Sequence, residues 1–370
     1  MAIKILIGGS PCTYWSIAQK NRETEPSGMG WELFKNYLIA KEKFKPNFFL
    51  YENNKSADQA IKDQIARELG VGKDPKVRFT YINSALVSAQ NRQRFYVTNF
   101  GDIKQPEDRG IVLKDILETG TDLTQNRKSY CMTASYDGAV AWNTLERSQR
   151  SMVAEPVCEN TSDNKGQPAQ GTRVYKTDCK SICLDGDSRK YIIDTFAIPI
   201  EFVDDVPVKA VSCTDGKEYP VYQVLNGRIT IKDKQYPIKL IDGYYIIRKL
   251  TVTECCRLQT MPDDYCKAVS ATQAYKGLGN GWTAEVIIHL LNHALKDIPS
   301  DEEIVVLSLY DGIGTGRYCL DKMGFTNVKY HAYEIDKYPI AIANDNYPDI
   351  IQHGDAFAVR EDDWKSPQHD

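Results

Sequence analysis

The fold is decided by the ten residues Leu307-Ser-Leu-Tyr-Asp-Gly-Ile-Gly-Thr-Gly316. They continue the strongly apolar run Ile304 to Leu309, which predicts a buried strand, and a segment with helical periodicity follows them. Glycines directly after a buried strand let the backbone approach a ligand, and the next helix points its positive N-terminus to the same place. The stretch therefore predicts a strand-turn-helix unit with a ligand site at the turn.

Two acidic residues follow the later strand signals of this region. Glu334 comes directly after the predicted strand Tyr330 to Tyr333, where a carboxylate can accept both hydroxyls of a ribose. Asp355 follows Gly354 about twenty residues further on, where its carboxylate can accept an adenine amino group. A glycine turn, a ribose acid and an adenine acid in this order predict a site for a nucleoside cofactor.

Short strand and helix signals alternate over residues 1–104, which predicts an open α/β sheet. Between residues 105 and 247 the periodicity breaks up, small polar residues cluster, and short β-rich runs appear. Helical order returns at Thr251. We therefore predict one α/β domain in two parts, 1–104 and 248–370, with an irregular, mainly β domain inserted at 105–247.

The composition is that of an ordinary folded protein: 370 residues, 42% of them hydrophobic and 26% charged. It excludes a mainly disordered chain, a collagen-like fibre and a small disulfide scaffold. The net charge of -4 argues against a globally basic nucleic-acid coat. No apolar run approaches the roughly 20 residues of a membrane span, and no leader peptide is recognisable. We expect no membrane partner and a cytoplasmic location, in a bacterial or phage-infected cell.

The ten cysteines include no CxxC pair, so reduced thiols are expected. Two spacings are compatible with metal binding, but both are weak. Cys179 and Cys183 lack a second pair, and His289 and His293 lack the glutamate of the HExxH pattern. We predict no metal site.

Two motifs in the first part of the chain carry candidate chemistry. Cys12 ends Gly-Gly-Ser-Pro-Cys after a strand signal, where a thiolate can act as a nucleophile; a small buried cysteine is the alternative. Glu52 follows the apolar strand that ends at Tyr51, and an acid there can donate or accept a proton. Its alternative is a helix N-terminus capped by Asn53 or Asn54.

A third motif is Gln90-Asn-Arg-Gln-Arg94. On a strand, Gln90, Arg92 and Arg94 share one face because side chains alternate with period two. Two guanidinium groups on one face can bind a carbonyl or a phosphate and pair with a carboxylate. A solvated charged edge is the alternative.

Together these motifs resemble those of the DNA cytosine-5 methyltransferase family, over nearly all of the chain outside residues 105–247. The order is unusual, because in most members the cofactor motifs come first, whereas here the nucleophile strand does. The sequence is therefore similar to a circularly permuted member, with the linker Lys296 to Glu303 joining the original ends, and its cofactor motifs look closest to the de novo branch. The resemblance is carried by Pro11-Cys12, Glu52-Asn53, Gln90, Arg92 and Arg94, Arg248 to Thr251 with Glu254, Arg257 to Gln259 and Pro262, and Gly279 to Trp282.

The resemblance implies a Rossmann-like class I methyltransferase sheet that transfers the methyl group of S-adenosyl-L-methionine to carbon 5 of a cytosine flipped out of double-stranded DNA. It implies that Cys12 adds to carbon 6 and that Glu52 protonates ring nitrogen 3. Arg94 holds the ring carbonyl oxygen, and Arg92 organises Cys12 or Glu52. The implied cofactor contacts are Tyr310 on adenine, Glu334 on the ribose, Asp355 on the amino group, Ile335 and Ala356 as apolar walls, and Asp311, Gly312, Ile313, Gly314, Thr315, Gly316, Asn280 and Trp282 around the methionine end.

Residues 105–247 correspond by this resemblance to the target-recognition domain, and we expect a monomer on DNA. Two departures from the family pattern are Asn54, where valine is usual, and Ser308, where several members carry an acid. Three alternatives stay open: a transfer RNA cytosine-5 methyltransferase, a catalytically inactive DNA-binding homologue, and a nicotinamide-dependent oxidoreductase. The recognition sequence and the restriction-linked, orphan or viral role do not follow from the sequence.

Overall fold

The computed structural model describes residues 2–16, 20–124, 126–157, 196–204 and 206–364, apart from the side chain of Cys12. The chain divides into two compact units. Unit 1 consists of Met1–Ile111, Met132–Ser135 and Cys255–Asp370, and unit 2 of Val112–Cys131 and Tyr136–Glu254. The predicted insert, 105–247, starts and ends a few residues before unit 2.

The regular elements follow in chain order. Strands are β1 (Ile3–Gly8), β2 (Phe48–Asn54), β3 (Arg78–Asn83), β4 (Gln93–Thr98), β5 (Thr121–Asp122), β6 (Met152–Pro156), β7 (Ile198–Val203), β8 (Val206–Val211), β9 (Glu218–Leu225), β10 (Arg228–Ile231), β11 (Lys234–Pro237), β12 (Gly243–Lys249), β13 (Ile304–Leu309), β14 (Val328–Tyr333) and β15 (Ile351–Gln352). Helices are α1 (Gly28–Phe44), α2 (Gln59–Leu69), α3 (Ala141–Arg147), α4 (Val252–Leu258), α5 (Ala271–Asn280), α6 (Ala284–Leu295), α7 (Thr315–Lys322) and α8 (Lys337–Asn346).

Within the described residues, seven strands form the sheet of unit 1, in the order β15-β14-β13-β1-β2-β4-β3. The first five of these strands run parallel, and β4 lies antiparallel between β2 and β3. The sheet confirms the predicted α/β fold of Rossmann-like type. Its strands β1 and β13 are neighbours although they are far apart in the chain, as the predicted permutation requires.

Strand β13 lies inside the sheet, and all six of its residues are buried. A parallel strand covered on both faces has to be apolar nearly throughout, which is why this run takes a central position. Leu307 and Leu309 belong to the same core cluster as Leu6 of β1 and as Phe34 and Tyr37 of α1. Helix α1 therefore covers the sheet where β1 and β13 meet.

Unit 2 is mainly β, as predicted. Its described strands form one antiparallel arrangement in the order β11-β10-β9-β12-β6-β5, and β8 and β7 extend it from β9. The buried Arg248 of β12 forms ion pairs at 2.9 Å with Glu155 of β6 and at 2.9 Å with Glu254. All three side chains are 0% exposed, so this triad ties the strand to the start of α4.

The described part of the chain shows neither a membrane-spanning helix nor a cluster of metal ligands. None of its helices is both long enough and apolar enough to cross a membrane. It contains no group of three or more His, Cys, Asp or Glu side chains arranged to hold a metal ion. Cys179 and Cys183 lie outside the described residues.

Candidate active site

The parallel strands of unit 1 end at one edge of the sheet, and predicted site residues lie at or just beyond those ends. The expectation that the strand ends at Tyr51 before Glu52 is wrong, because β2 continues through Glu52 to Asn54. Gly8 at the end of β1 pairs with Leu309 at the end of β13, which itself pairs with Tyr333 of β14. On its other side Gly8 pairs with Tyr51, the neighbour of Glu52. The chain order of the strands reverses between β13 and β1, and ligands of open α/β sheets bind outside the strand ends at such a point. This edge is the candidate site.

The turn after β13 carries a partly buried acid, Asp311. Its Oδ1 accepts hydrogen bonds from Ser308 Oγ at 2.6 Å and from the Tyr330 hydroxyl at 2.7 Å. Its Oδ2 is buried and has no hydrogen-bond partner among the described residues. Burial raises the pKa of Asp311 to about 6, and the nearby charge of Glu334 adds to the effect. A buried carboxylate oxygen without a donor is costly alone, so this atom fits a cationic ligand group.

Glu334 joins the turn after β13 to the turn after β14. Its Oε2 accepts the backbone N–H of Gly312 at 3.0 Å, and its Oε1 accepts those of Ile335 and Asp336 at 2.8 Å each. Gly312 has a left-handed φ of 65°, and the space where its Cβ would lie is open. The side chain of Ile335 is 73% exposed and offers an apolar surface next to the acid.

Tyr310 and Asp355 follow the ends of β13 and β15 at this edge. The Tyr310 hydroxyl donates to the Leu33 carbonyl of α1 at 2.8 Å and accepts from Asn36 Nδ2 at 3.2 Å, which fixes the ring. Burial raises the pKa of Tyr310, and the Asp355 charge contributes. The Asp355 side chain accepts the Phe357 N–H at 2.9 Å and stays exposed. The two residues are therefore near each other, and their contacts with adenine stay a prediction.

The second half of the glycine turn is packed. Ile313 is 1% exposed, and its carbonyl accepts the Tyr265 hydroxyl at 2.9 Å. A Cβ on Gly316 would lie 2.3 Å from Ile7 Cδ1 and 2.3 Å from the Tyr330 hydroxyl. The side chains of this half therefore support the turn from inside the protein and do not line an open site. The buried residues of the turn are Ile313, Gly314, Thr315 and Gly316, and Ala356, predicted to be an apolar wall of the cofactor site, is also buried.

Glu52 is held by a separate donor on each of its carboxylate oxygens. Arg94 Nε lies 3.0 Å from Oε1, and Trp282 Nε1 donates to Oε2 at 3.1 Å. The side chains of Glu52 and Arg94 are only 12% and 11% exposed. Charge-assisted bonds to a shielded carboxylate are strong and directional. The structure thus brings Glu52, Arg94 and Trp282 together. Of these, Trp282 was predicted to contact the methionine end of the cofactor instead.

The turn after β1 packs directly against Glu52. A Cβ on Gly9 would lie 2.2 Å from the Glu52 carbonyl oxygen, so this position has to be glycine. Asn53 Nδ2 donates to the Ser10 carbonyl at 2.9 Å and fixes the turn from the other side. Cys12 begins a short 3-10 helix, Cys12–Tyr14, and its side chain lies outside the described residues.

Gln90 and Arg92 lie before β4, which begins at Gln93. The expectation that they share a strand face with Arg94 is therefore wrong. Arg92 is 2% exposed and donates to backbone carbonyls of Met132 at 3.0 Å, Gly279 at 3.2 Å and Gly281 at 2.7 Å. It holds the connection between α5 and α6. That Arg92 organises Cys12 or Glu52 stays a prediction.

Gln259 is a supporting residue whose role the sequence did not reveal. Its Nε2 donates to the Leu278 carbonyl at 2.6 Å, and its Oε1 accepts from Thr283 Oγ1 at 2.9 Å and from Gln90 Nε2 at 3.0 Å. These partners are far apart in the chain, so no local pattern signals the network. Asn280, the last residue of α5, is exposed beside it.

The family model described as C-5 cytosine-specific DNA methylase matches residues 1–296, well over half of the chain. The chain belongs to this family. The match stops where the polar linker begins, and the cofactor strands β13 to β15 follow it.

Individual relatives are distant. The chain is 22% identical over 338 residues to the Type II methyltransferase M.Bpa9945I of Bacillus paralicheniformis, covering 80% of this chain and 71% of that protein. Among solved structures it is similar to the Entamoeba histolytica methyltransferase EhMeth, with 12% identity, a TM-score of 0.38 and coverage of 81% and 99%. A putative DNA modification methyltransferase from an Escherichia coli prophage shows 15% identity, a TM-score of 0.37 and 80% coverage of both chains.

C-5 cytosine methyltransferases depend on S-adenosylmethionine, and the residues of this edge fit that molecule. The unpartnered Oδ2 of Asp311 suits the ammonium group of its methionine part. Gly312 and Gly354 leave open space where side chains would otherwise stand. The exposed Ile335 and the carboxylate of Glu334 suit an adenosine.

Proposed function

We propose that this chain is a DNA (cytosine-5-)-methyltransferase that modifies cytosine in double-stranded DNA with the methyl group of S-adenosylmethionine. The observation that carries the proposal is Glu52, held by Arg94 and Trp282 and packed against Gly9 at the start of the nucleophile turn. An acid fixed beside that turn is what a pyrimidine needs for activation.

Carbon 5 of cytosine is a poor nucleophile, so the ring has to be activated first. The Cys12 thiolate adds to carbon 6, and the electron pair of the 5,6 double bond moves into the ring. Glu52 delivers a proton to nitrogen 3, which neutralises the charge that develops there. Arg94, which fixes the acid, also holds the ring carbonyl oxygen.

When bound, S-adenosylmethionine would supply an electrophilic methyl group for carbon 5, and its sulfur would keep the electron pair of the broken S–CH3 bond in S-adenosylhomocysteine. Asp311 would hold its ammonium group, and Glu334 would orient its ribose. A base then removes the carbon 5 proton, the electron pair reforms the double bond, and Cys12 leaves as a thiolate. Nitrogen 3 returns its proton to Glu52. The target cytosine has to leave the duplex for these steps, at a cost of about a few kcal/mol.

Three findings favour DNA over transfer RNA as the substrate. The matching family is described by DNA methylation, and the relative from Bacillus paralicheniformis is named a Type II methyltransferase. Unit 2 is also a large insert, and the transfer RNA branch generally has a smaller recognition region. We assign unit 2 to target recognition, with the exposed Arg127 and Arg147 as phosphate contacts.

The test is bisulfite sequencing of DNA from cells that express the protein, which reports activity and recognition sequence together. Purified protein with labelled cofactor is then offered duplex DNA and transfer RNA separately. We expect label in DNA, loss of all transfer in Cys12→Ser, and cofactor affinity in that variant within about threefold of wild type. Label in transfer RNA alone contradicts the DNA substrate, and full activity of Cys12→Ser contradicts the mechanism.

A further inference from the structure

We infer that Trp282 is a positioning residue for Glu52: its indole N–H fixes the carboxylate oxygen that Arg94 does not hold. The sequence assigned Trp282 to the methionine end of the cofactor, but in the structure its nitrogen lies 3.1 Å from Glu52 Oε2. The inference rests on the proposed function, because it gives the contact a purpose only if Glu52 acts on a base.

The two donors reach Glu52 from different elements. Arg94 lies on β4, whereas Trp282 lies in the connection between α5 and α6, 230 residues from Glu52 in the chain. One donor alone would leave the carboxylate free to rotate about its terminal bond. With one donor on each oxygen, both oxygens have fixed positions, and a proton on either points in a defined direction.

The connection that carries Trp282 is itself immobilised by buried groups. The Gly281 carbonyl, directly before Trp282, accepts from Arg92 Nη2 at 2.7 Å and from Gln259 Nε2 at 3.3 Å. Thr283, directly after it, donates to Gln259 Oε1 at 2.9 Å and accepts from Ser84 Oγ at 2.9 Å. Because the residues on both sides of Trp282 are fixed, its side chain can position Glu52 without losing much further conformational entropy when a substrate binds.

Helix α5 and the connection after it both pack against the turn after β13. A Cβ on Gly277 of α5 would lie 2.9 Å from Ile313 Cγ2, and one on Gly281 of the connection would lie 3.5 Å from Ile313 Cδ1. Trp282 therefore lies between the turn that serves the cofactor and the acid that serves the base. A cofactor role and a positioning role make different kinetic predictions, so they can be separated.

The kinetic test compares Trp282→Phe with Trp282→His. Phenylalanine keeps an aromatic ring and removes the donor, whereas histidine places Nε2 where the indole nitrogen was. We expect Trp282→Phe to lower kcat for methyl transfer to DNA about 10- to 100-fold, the range for a bond to a charged group. Trp282→His recovers part of this loss, while cofactor Kd and DNA KM stay within about threefold of wild type in both.

The matched control is Trp364→Phe, which removes another indole donor of unit 1, bonded at 2.9 Å to the Tyr333 hydroxyl. We expect it to retain wild-type kcat. A Trp282→Phe protein with normal kcat, or with cofactor Kd weakened about tenfold at unchanged kcat, overturns the inference.

A second measurement does not depend on activity or on which nucleic acid is the substrate. The five tryptophans give five indole N–H resonances in a nitrogen-15 spectrum, and Trp282→Phe identifies one of them. We expect that resonance to move upfield in Glu52→Gln, because a neutral amide is a weaker acceptor. An unmoved resonance contradicts the hydrogen bond between Trp282 and Glu52 itself. A shifted resonance in a protein that is inactive on DNA supports the bond and refutes only the proposed function.

Discussion

Replacing Arg248 by methionine is expected to destabilise unit 2 severely. The fully buried guanidinium bonds Glu155 at 2.9 Å, Glu254 at 2.9 and 3.0 Å, and the Thr119 carbonyl at 2.9 Å. Removing one partner of a buried ion pair costs about 3–5 kcal/mol, because the remaining charge is left uncompensated. Here one substitution leaves two carboxylates without their cation, so we expect the upper end of that range, against a total of about 5–15 kcal/mol for a domain.

The assay is urea unfolding combined with hydrogen exchange of peptides from β6 and β12, which reports opening of unit 2 itself. The control is Arg257→Met, whose guanidinium bonds Asp263 at 2.6 Å with the two side chains 32% and 54% exposed. Exposed pairs contribute about 0–1 kcal/mol. A triple variant that adds Glu155→Gln and Glu254→Gln removes all three charges of this triad and should regain part of the loss. Equal losses in Arg248→Met and Arg257→Met would refute the reasoning.

Two further predictions concern the site. Asp311, with a pKa of about 6, keeps its proton in the folded protein between about pH 4 and 6, so its contribution to stability falls as pH rises through that window. Cofactor Kd, measured by calorimetry, should tighten from pH 5 to 7, and Asp311→Asn should remove this dependence; an unchanged pH profile in the variant contradicts the ammonium contact. Gly9→Ala places a Cβ 2.2 Å from the Glu52 carbonyl oxygen and should cost about 1–3 kcal/mol in urea unfolding and abolish most transfer. The control Gly138→Ala, whose nearest atom is 3.5 Å away, should leave both intact, and equal behaviour of the two variants would show that the turn yields easily.

Sequence patterns predicted the elements whose signal is local. The run Ile304 to Leu309 forms β13 with the predicted ends. The amphipathic pattern from Ala284 to Leu295 predicts a helix over those residues, and α6 has the same ends, because such elements are determined by the periodicity of their own residues. The run Thr80 to Leu86 predicts a strand, but β3 ends at Asn83. There the Asn83 side chain accepts the Ala85 N–H at 3.1 Å and starts a 3-10 turn. This side-chain bond to the backbone competes with the strand, and strand propensity does not take it into account.

The residue types of the site were predictable from the sequence, but the hydrogen bonds between them were not. Asp311 was expected near the methionine end, and the sequence contained no sign that one of its oxygens would be buried without a donor. Trp282 was assigned by its motif, yet its bond to Glu52 joins residues 230 positions apart. Such contacts follow from sheet order and from the path of the α5–α6 connection, which no window of sequence contains.

Sheet order also explains why a permuted chain can build this site. Gly8 and Leu309 are register partners in adjacent strands. The turn after β1, which we propose carries the nucleophile, and the turn after β13, which we propose binds the cofactor, therefore start at the same level of the same edge. A Cβ on Gly8 would lie 2.6 Å from the Leu309 carbonyl oxygen, so the glycine lets the two backbones approach closely enough for both turns to serve one ligand pair. The distance between the turns is set by hydrogen bonds between β1 and β13 and not by the chain that connects them. A circular permutation changes only where the chain begins and how β1 and β13 are connected. It leaves the register of these two strands, and therefore the arrangement of residues at this edge, unchanged.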